Sequence, residues 1–331
     1  MNSQATKKIK TNTSVNIWLR ILKTMFLGRL TEERLVRLYH QGKIFGGVYT
    51  GIGQEAIGAV SAHIGTPDDL YAPAIRNVTV HLGRGTKVLD VFRQYLGRVT
   101  GPTRGRDGNV HYGEMDKGVF AMVSHMGAML SVLVGGVMAR RRLGKSTMGF
   151  AYIGDGASST GDFHEALNFA SVFDVPILFM IENNHYAYST PKEFQYRCQS
   201  LVEKACGYGM EGLEVDGNDV IKLYDQIKII LEKIRKNNRP VLLVCDTMRM
   251  RGHGEHDDAS YVPKELLLKY KEKDPIHLLK KHLLNNDFAC EQDLKKLEKE
   301  CLDEINQSYK KALSEPMPSP DDLLEGVYAE D

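Results

Sequence analysis

Two stretches decide the fold: Met148-Gly149-Phe150-Ala151-Tyr152-Ile153 running into Gly154-Asp155-Gly156, and Val175-Pro176-Ile177-Leu178-Phe179-Met180-Ile181 running into Glu182-Asn183-Asn184-His185-Tyr186. Each is a short apolar run that stops abruptly at glycine and polar residues, the pattern of a strand covered on both faces in a parallel sheet. Between them Phe163 to Val172 reads as a helix, so the unit is strand, helix, strand. A third run, Pro240 to Cys245, follows an amphipathic helix from Asp219 to Lys236 and leads into an irregular segment through Tyr261. Alternating strands and helices predict an α/β fold, a parallel sheet flanked by helices. In open sheets of this kind ligands bind beyond the carboxyl ends of the strands. Gly154-Asp155-Gly156, Asn183-Asn184-His185-Tyr186 and Arg249 to Asp257 each follow a strand, so all three are expected at one site.

Outward from this centre, Val15 to Gln41 has helical spacing, and Thr31-Glu32-Glu33-Arg34 reads as a new helix start capped by Thr31. Gly42 to Gly53 is a glycine-rich loop, and Glu55 to Ile64 a helix of small and apolar residues. Thr100 to Gly118 holds five glycines and many charges; an irregular stretch of that length points to function rather than linkage. Within it His111 and Tyr112 either line a pocket or brace the loop. Ala128 to Ala139 fits a buried helix packed closely on the sheet. Residues 1–14 read as a disordered polar tail, and 15–331 as one domain with a charged helical extension from about 264, ending in the extended segment Pro316-Met317-Pro318-Ser319-Pro320.

With 43 Lys and Arg against 42 Asp and Glu, the chain carries no basic field for nucleic acid. The local runs Lys7 to Lys10 and Arg140-Arg141-Arg142 read as a tail and a solvated helix end. No apolar run approaches the roughly 20 residues that span a bilayer. The polar start lacks the apolar core of a signal peptide and the arginines of a mitochondrial leader, which favours a bacterial cytoplasmic setting over the mitochondrial matrix. Five cysteines without a CxxC pair argue against a disulfide framework or a structural zinc site.

An Asp-Gly turn alone is usually only a turn. Here its glycines permit close backbone approach to an anion, and Asp155 can hold a hard cation that bridges two phosphates. Asn184, one helix and one strand later, offers a neutral amide oxygen at the same sheet edge.

These segments resemble a known family. Gly154-Asp155-Gly156, residues 157–182, then Asn183-Asn184 matches the thiamine-diphosphate motif. Gly161-Asp162-Phe163-His164-Glu165-Ala166-Leu167-Asn168, Tyr188-Ser189-Thr190-Pro191, Val215-Asp216-Gly217-Asn218-Asp219 and Arg249-Met250-Arg251-Gly252-His253 are similar to the α subunits (E1α) of 2-oxoacid dehydrogenases, and the likeness runs from about Leu30 to Tyr328. The resemblance implies a thiamine-diphosphate-binding fold, the cofactors thiamine diphosphate and Mg²⁺, and oxidative decarboxylation of a 2-oxoacid with acyl transfer to the lipoyl domain of an E2 acyltransferase. It makes Asp155, Asn184 and the Tyr186 carbonyl the metal ligands. Gly154, Gly156, Ala157 and Arg76 fall on the diphosphate side, Ser124 and Met126 hold the aminopyrimidine through their main chain, and His253, catalytic together with Arg249, hydrogen-bonds to what forms on the cofactor. The tyrosine that often precedes the family's arginine is Ile75 here. His253 takes the place of the active-site histidine, with Arg249, Asp257 and Tyr261 ordering its loop. Gly254 stands where regulated relatives carry a phosphorylatable serine, which excludes kinase control at that position.

Only the diphosphate half of a site is present, so the resemblance implies a β-subunit partner in an α₂β₂ heterotetramer. It makes the activating glutamate the partner's rather than Glu55. The helix Ala128 to Ala139 is expected to pack at that interface, with Val134→Arg blocking assembly. Val110-His111-Tyr112-Gly113 and the proline-rich tail lean toward branched-chain substrates rather than pyruvate, while Ala128 and Met129 depart from the branched-chain potassium site. Acetoin-type enzymes and a catalytically silent subunit are the alternatives; an NAD-binding oxidoreductase is disfavoured because no GxGxxG follows a strand.

Overall fold

A computed structural model describes residues 13–325. The tail expected over 1–14 lies, as far as residue 12, outside the described residues, and so does Tyr328. The helices are α1 (Thr13–His40), α2 (Glu55–Ile64), α3 (Val78–Gly83), α4 (Val88–Tyr95), α5 (Ala128–Arg142), α6 (Gly161–Val172), α7 (Val220–Asn237), α8 (Lys264–Glu272), α9 (Pro275–Asn285) and α10 (Glu291–Ser314). The strands are β1 (Leu70–Ala72), β2 (Gly149–Gly154), β3 (Ile177–Asn183), β4 (Tyr186–Ala187), β5 (Thr190–Pro191), β6 (Glu211–Asp216) and β7 (Val241–Asp246). Five strands form one sheet in the order β1-β2-β3-β7-β6, all parallel, while β4 and β5 make a small antiparallel pair.

Strand periodicity divides the core. Along β3, Leu178 and Met180 pack with Tyr71, Phe150 and Leu243 against α1, α2 and α7; Ile177, Phe179 and Ile181 face the opposite way, against α5 and α6. The expected central place of β3 is the observed one, and its seven residues are all buried. Asp219 caps α7 by accepting the Lys222 N–H at 3.2 Å.

Two expectations need correction. Thr31 does not start a helix: α1 runs unbroken past it, Thr31 is fully buried, and Glu32 turns inward to accept the Gly51 N–H at 2.8 Å. The cap signature was overridden by tertiary burial. On α5 only one side is buried. Val134 is wholly enclosed, whereas Val132 is 46% exposed and Gly135 and Ala139 also face outward. An arginine at Val134 would therefore break the core rather than test an interface.

The segment Thr100 to Gly118 is irregular except for one short turn at Met115–Lys117. The end of the chain straps down its base. Glu315 receives Arg93 through two bonds (2.7 and 2.5 Å) and Thr100 Oγ1 at 2.5 Å, and the Val99 N–H donates to the Pro316 carbonyl. Further on, Arg104 reaches Glu325 and Arg106 the Asp322 carbonyl.

Candidate functional site

A cleft of about 410 Å³ opens beyond the carboxyl ends of β1, β2, β3 and β7. Its walls hold Arg76, Met126, Gly154, Asp155, Gly156, Ala157, Asn184, Tyr186, Arg249 and His253, residues the sequence assigned to one site. Ser124 is not among its lining residues; it sits exposed with Oγ 3.4 Å from His111 Nε2.

Asp155 is the residue after Gly154, where β2 ends. Its N–H donates to the Glu182 carbonyl and its carbonyl accepts the Ser158 N–H and hydroxyl, so its backbone is held on both sides. Its carboxylate is buried, Oδ2 has no partner, and burial pushes its pKa up. One terminal atom of the Asn184 amide lies 3.3 Å from Asp155 Oδ1 and 3.2 Å from the Tyr186 carbonyl oxygen. If that atom is nitrogen, it donates to both. If it is oxygen, three oxygens converge with no proton among them, the arrangement a hard cation needs. Two ligand oxygens on adjacent corners of a Mg²⁺ octahedron stand about 3.0 Å apart, from metal–oxygen distances of about 2.1 Å. The observed spacings and the unpartnered Oδ2 fit that group. Among the described residues no three His, Cys, Asp or Glu side chains gather around a point, so a metal here depends on amide and carbonyl oxygens. His185 and Tyr188, both with left-handed φ (70° and 55°), fold the chain around Tyr186. His185 is held in turn by Tyr270 at 2.8 Å.

Arg76, after β1, donates from Nη1 to the Thr50 carbonyl (2.8 Å) and from Nη2 to the His253 carbonyl (2.6 Å). Burial and the neighbouring Arg249 lower its pKa to about 10, a cation packed against a second cation and suited to a polyanion. Arg76 Nη2 also lies 3.4 Å from His253 Nδ1. A guanidinium only donates, so Nδ1 accepts and the imidazole proton resides on Nε2. Burial with Arg76 and Arg249 pushes His253 down to about 4, leaving it neutral near pH 7. The loop that presents it is ordered as expected. Arg249 Nη2 donates to Tyr261 Oη (2.8 Å), Tyr261 donates to Asp257 Oδ2 (2.6 Å), and that carboxylate accepts the His253 N–H (2.5 Å). Tyr188 packs on the His253 ring with centroids 4.4 Å apart.

His111 and Tyr112 brace their loop and do not line the cleft: His111 meets Asp107 at 3.1 Å, and Tyr112 is buried beside His81. Glu55, paired with Arg29 and accepting the Gly53 N–H, is also away from the cleft. Glu182 was overlooked. It lines the cleft fully buried, held by Gln54 Nε2 at 2.9 Å and Asn77 Nδ2 at 2.6 Å, and burial raises its pKa to about 7. A carboxylate closing an apolar strand was the available signal. Met122, Met129 and Tyr188 complete the walls.

Residues 23–321 match the family described as "Dehydrogenase E1 component". The pyruvate dehydrogenase E1 component subunit alpha of Rickettsia prowazekii (strain Madrid E) is 32% identical over 311 residues, covering 94% of this chain and 95% of the relative. The protein of that name from Rickettsia typhi (strain ATCC VR-144 / Wilmington) is 31% identical over the same span. The mitochondrial counterpart of Pisum sativum is 34% identical over 319 residues, with 96% of this chain and 79% of the relative covered. The chain belongs to the dehydrogenase E1 component family. Within that family it is an α subunit of a 2-oxoacid dehydrogenase, an oxidoreductase component. The leaning toward branched-chain enzymes finds no support in these relatives, whose names specify pyruvate. Among the described residues no helix is long and apolar enough to cross a membrane.

Proposed function

We propose that this chain binds thiamine diphosphate through a Mg²⁺ held by Asp155, Asn184 and the Tyr186 carbonyl, and that with a β subunit in an α₂β₂ heterotetramer it decarboxylates pyruvate and passes the acyl group to the lipoyl domain of an acyltransferase. The observation that carries this is the convergence of the Asp155 carboxylate, the Asn184 side-chain amide and the Tyr186 carbonyl at the strand ends, with Asp155 Oδ2 left without a partner. The bound cofactor supplies the nucleophile and the electron sink for decarboxylation. The residues of this chain bind, orient and exclude water. Arg76 and the N–H groups of Gly156 and Ala157 face the diphosphate. Neutral His253 offers its Nε2–H to an oxygen anion in the cleft, and the Asp257-Tyr261-Arg249 bonds keep it there. Met126 stands on the wall for the pyrimidine half, while Ser124 serves only from outside the lining. The relatives' names support pyruvate as substrate, and the bacterial ones support a cytoplasmic setting.

The test uses the chain co-expressed with its β subunit. Reduction of an artificial electron acceptor is measured with pyruvate, 2-oxobutyrate, branched-chain oxoacids and acetoin, with and without both cofactors. Pyruvate should rank first, and Asp155→Ala should abolish activity together with calorimetric binding of the magnesium cofactor. Asp155→Ala that binds the cofactor with unchanged affinity would remove the metal assignment; a tetramer that binds it and turns over none of the substrates would favour a silent subunit.

A further inference from the structure

The opposite end of the sheet carries a second cavity. It measures about 260 Å³ and is lined by Arg141, Lys145, Ser146, Thr147, Arg235 and Asn238, among others, with no carboxylate in its wall. It lies where β2, β3 and β7 begin, one six-residue strand away from the cleft, roughly 20 Å. Basic residues ending α5 and α7 also complement the helix dipoles, which accounts for part of this charge. Three facts go beyond that. The Ala139, Arg140 and Arg141 carbonyls of α5 are already occupied by the N–H groups of Leu143, Gly144 and Lys145, and the Ile234 carbonyl of α7 by that of Asn238. Of the three cations, Arg235 is paired from behind by the buried Asp69 at 2.6 Å, while Arg141 and Lys145 have no ion-pair partner among the described residues. Thr147, only 3% exposed, lines the cavity with a hydroxyl that has no partner.

We propose that this cavity is a binding site for a small phosphate monoester. Arg141 and the remaining donors of Arg235 present planar forks that match phosphate oxygens, Lys145 adds a point charge, and the Thr147 hydroxyl donates the buried bond. The volume lies just below that of usual ligand pockets, enough for a phosphate with a few carbons.

The experiment titrates inorganic phosphate into the assembled enzyme, already saturated with thiamine diphosphate and Mg²⁺, at constant ionic strength in a calorimeter. Arg141→Gln/Lys145→Gln should weaken phosphate binding at least tenfold and Thr147→Val several-fold. Arg142→Gln, which removes a charge outside the cavity, should leave it unchanged. Without phosphate, Thr147→Val should melt no lower than the parent, because it removes a buried unpaired hydroxyl. Absence of saturable binding to the parent enzyme, or equal weakening by Arg142→Gln, would overturn the proposal.

Discussion

The two glycines flanking Asp155 should respond differently to alanine. Neither has a positive φ, so an alanine meets no backbone strain at either place. A Cβ on Gly154 would have nothing within 4 Å, whereas one on Gly156 would lie 3.1 Å from Ala187 Cα and closer still to Ala187 Cβ. Ordinary carbon contacts are about 3.5–4.0 Å, so the segments must part by roughly 1 Å. Overpacking of this kind costs about 1–3 kcal/mol. The displaced peptide carries the Tyr186 carbonyl, and metal sites tolerate only about 0.2 Å in a ligand distance. Gly156→Ala should therefore unfold at lower urea and bind magnesium thiamine diphosphate at least tenfold more weakly. Gly154→Ala should match the parent's stability within about 0.5 kcal/mol, and lose affinity only through its new methyl in the cleft. Urea unfolding followed by circular dichroism, with cofactor titration by calorimetry, separates the two effects. Equal stability of both variants would refute the contact argument.

Other outcomes follow from the same contacts. Val132→Arg, on the exposed side of α5, should leave a folded chain that fails to assemble with its β partner; a full tetramer by light scattering would contradict the interface. Asp69→Ala removes the acceptor of the Thr66 and Met148 N–H groups and of Arg235, and should cost about 3 kcal/mol in urea unfolding. The Arg93 bonds hold Glu315 near 2, below its ordinary 4.5, so its stabilisation is complete above about pH 4.5 and disappears as pH falls through about 2. Glu315→Gln should mimic that loss at neutral pH, seen as faster hydrogen exchange over residues 97–108, and unchanged exchange would count against the strap.

Much of this was legible before any coordinates. Glu55 to Ile64 was read to the residue, and β2, β3 and β7 to within two, because buried parallel strands are apolar runs with sharp ends. The structure brings Asp155, Asn184 and Arg249 to one cleft for the same reason: each follows directly on a strand end or lies a few residues beyond it. Leu70–Ala72 escaped because three residues before a proline show no period, and α3 and α4 because short helices rich in valine read as neither state. The edge strand β6 was quoted only as a motif, its alternating Glu-Gly-Leu-Glu-Val-Asp left unread. Met122 and Tyr188 acquire a role only from what stands beside them in space. Thr31 misled because a local cap signature carries no information about which side of a helix will be covered.

The strap has a consequence in time. Arg93 and Glu315 are 222 residues apart in sequence. At about 5–20 residues per second, synthesis leaves Arg93 without that partner for roughly 10–45 s after it is added. The sheet can close on the growing chain, since its last strand ends at Asp246. The long segment from Thr100 to Gly118 cannot be secured at its base until Glu315 has been made. A nascent chain released before Glu315 is made would thus carry a formed sheet and an unfastened segment from Thr100 to Gly118, a truncated product open to proteases there.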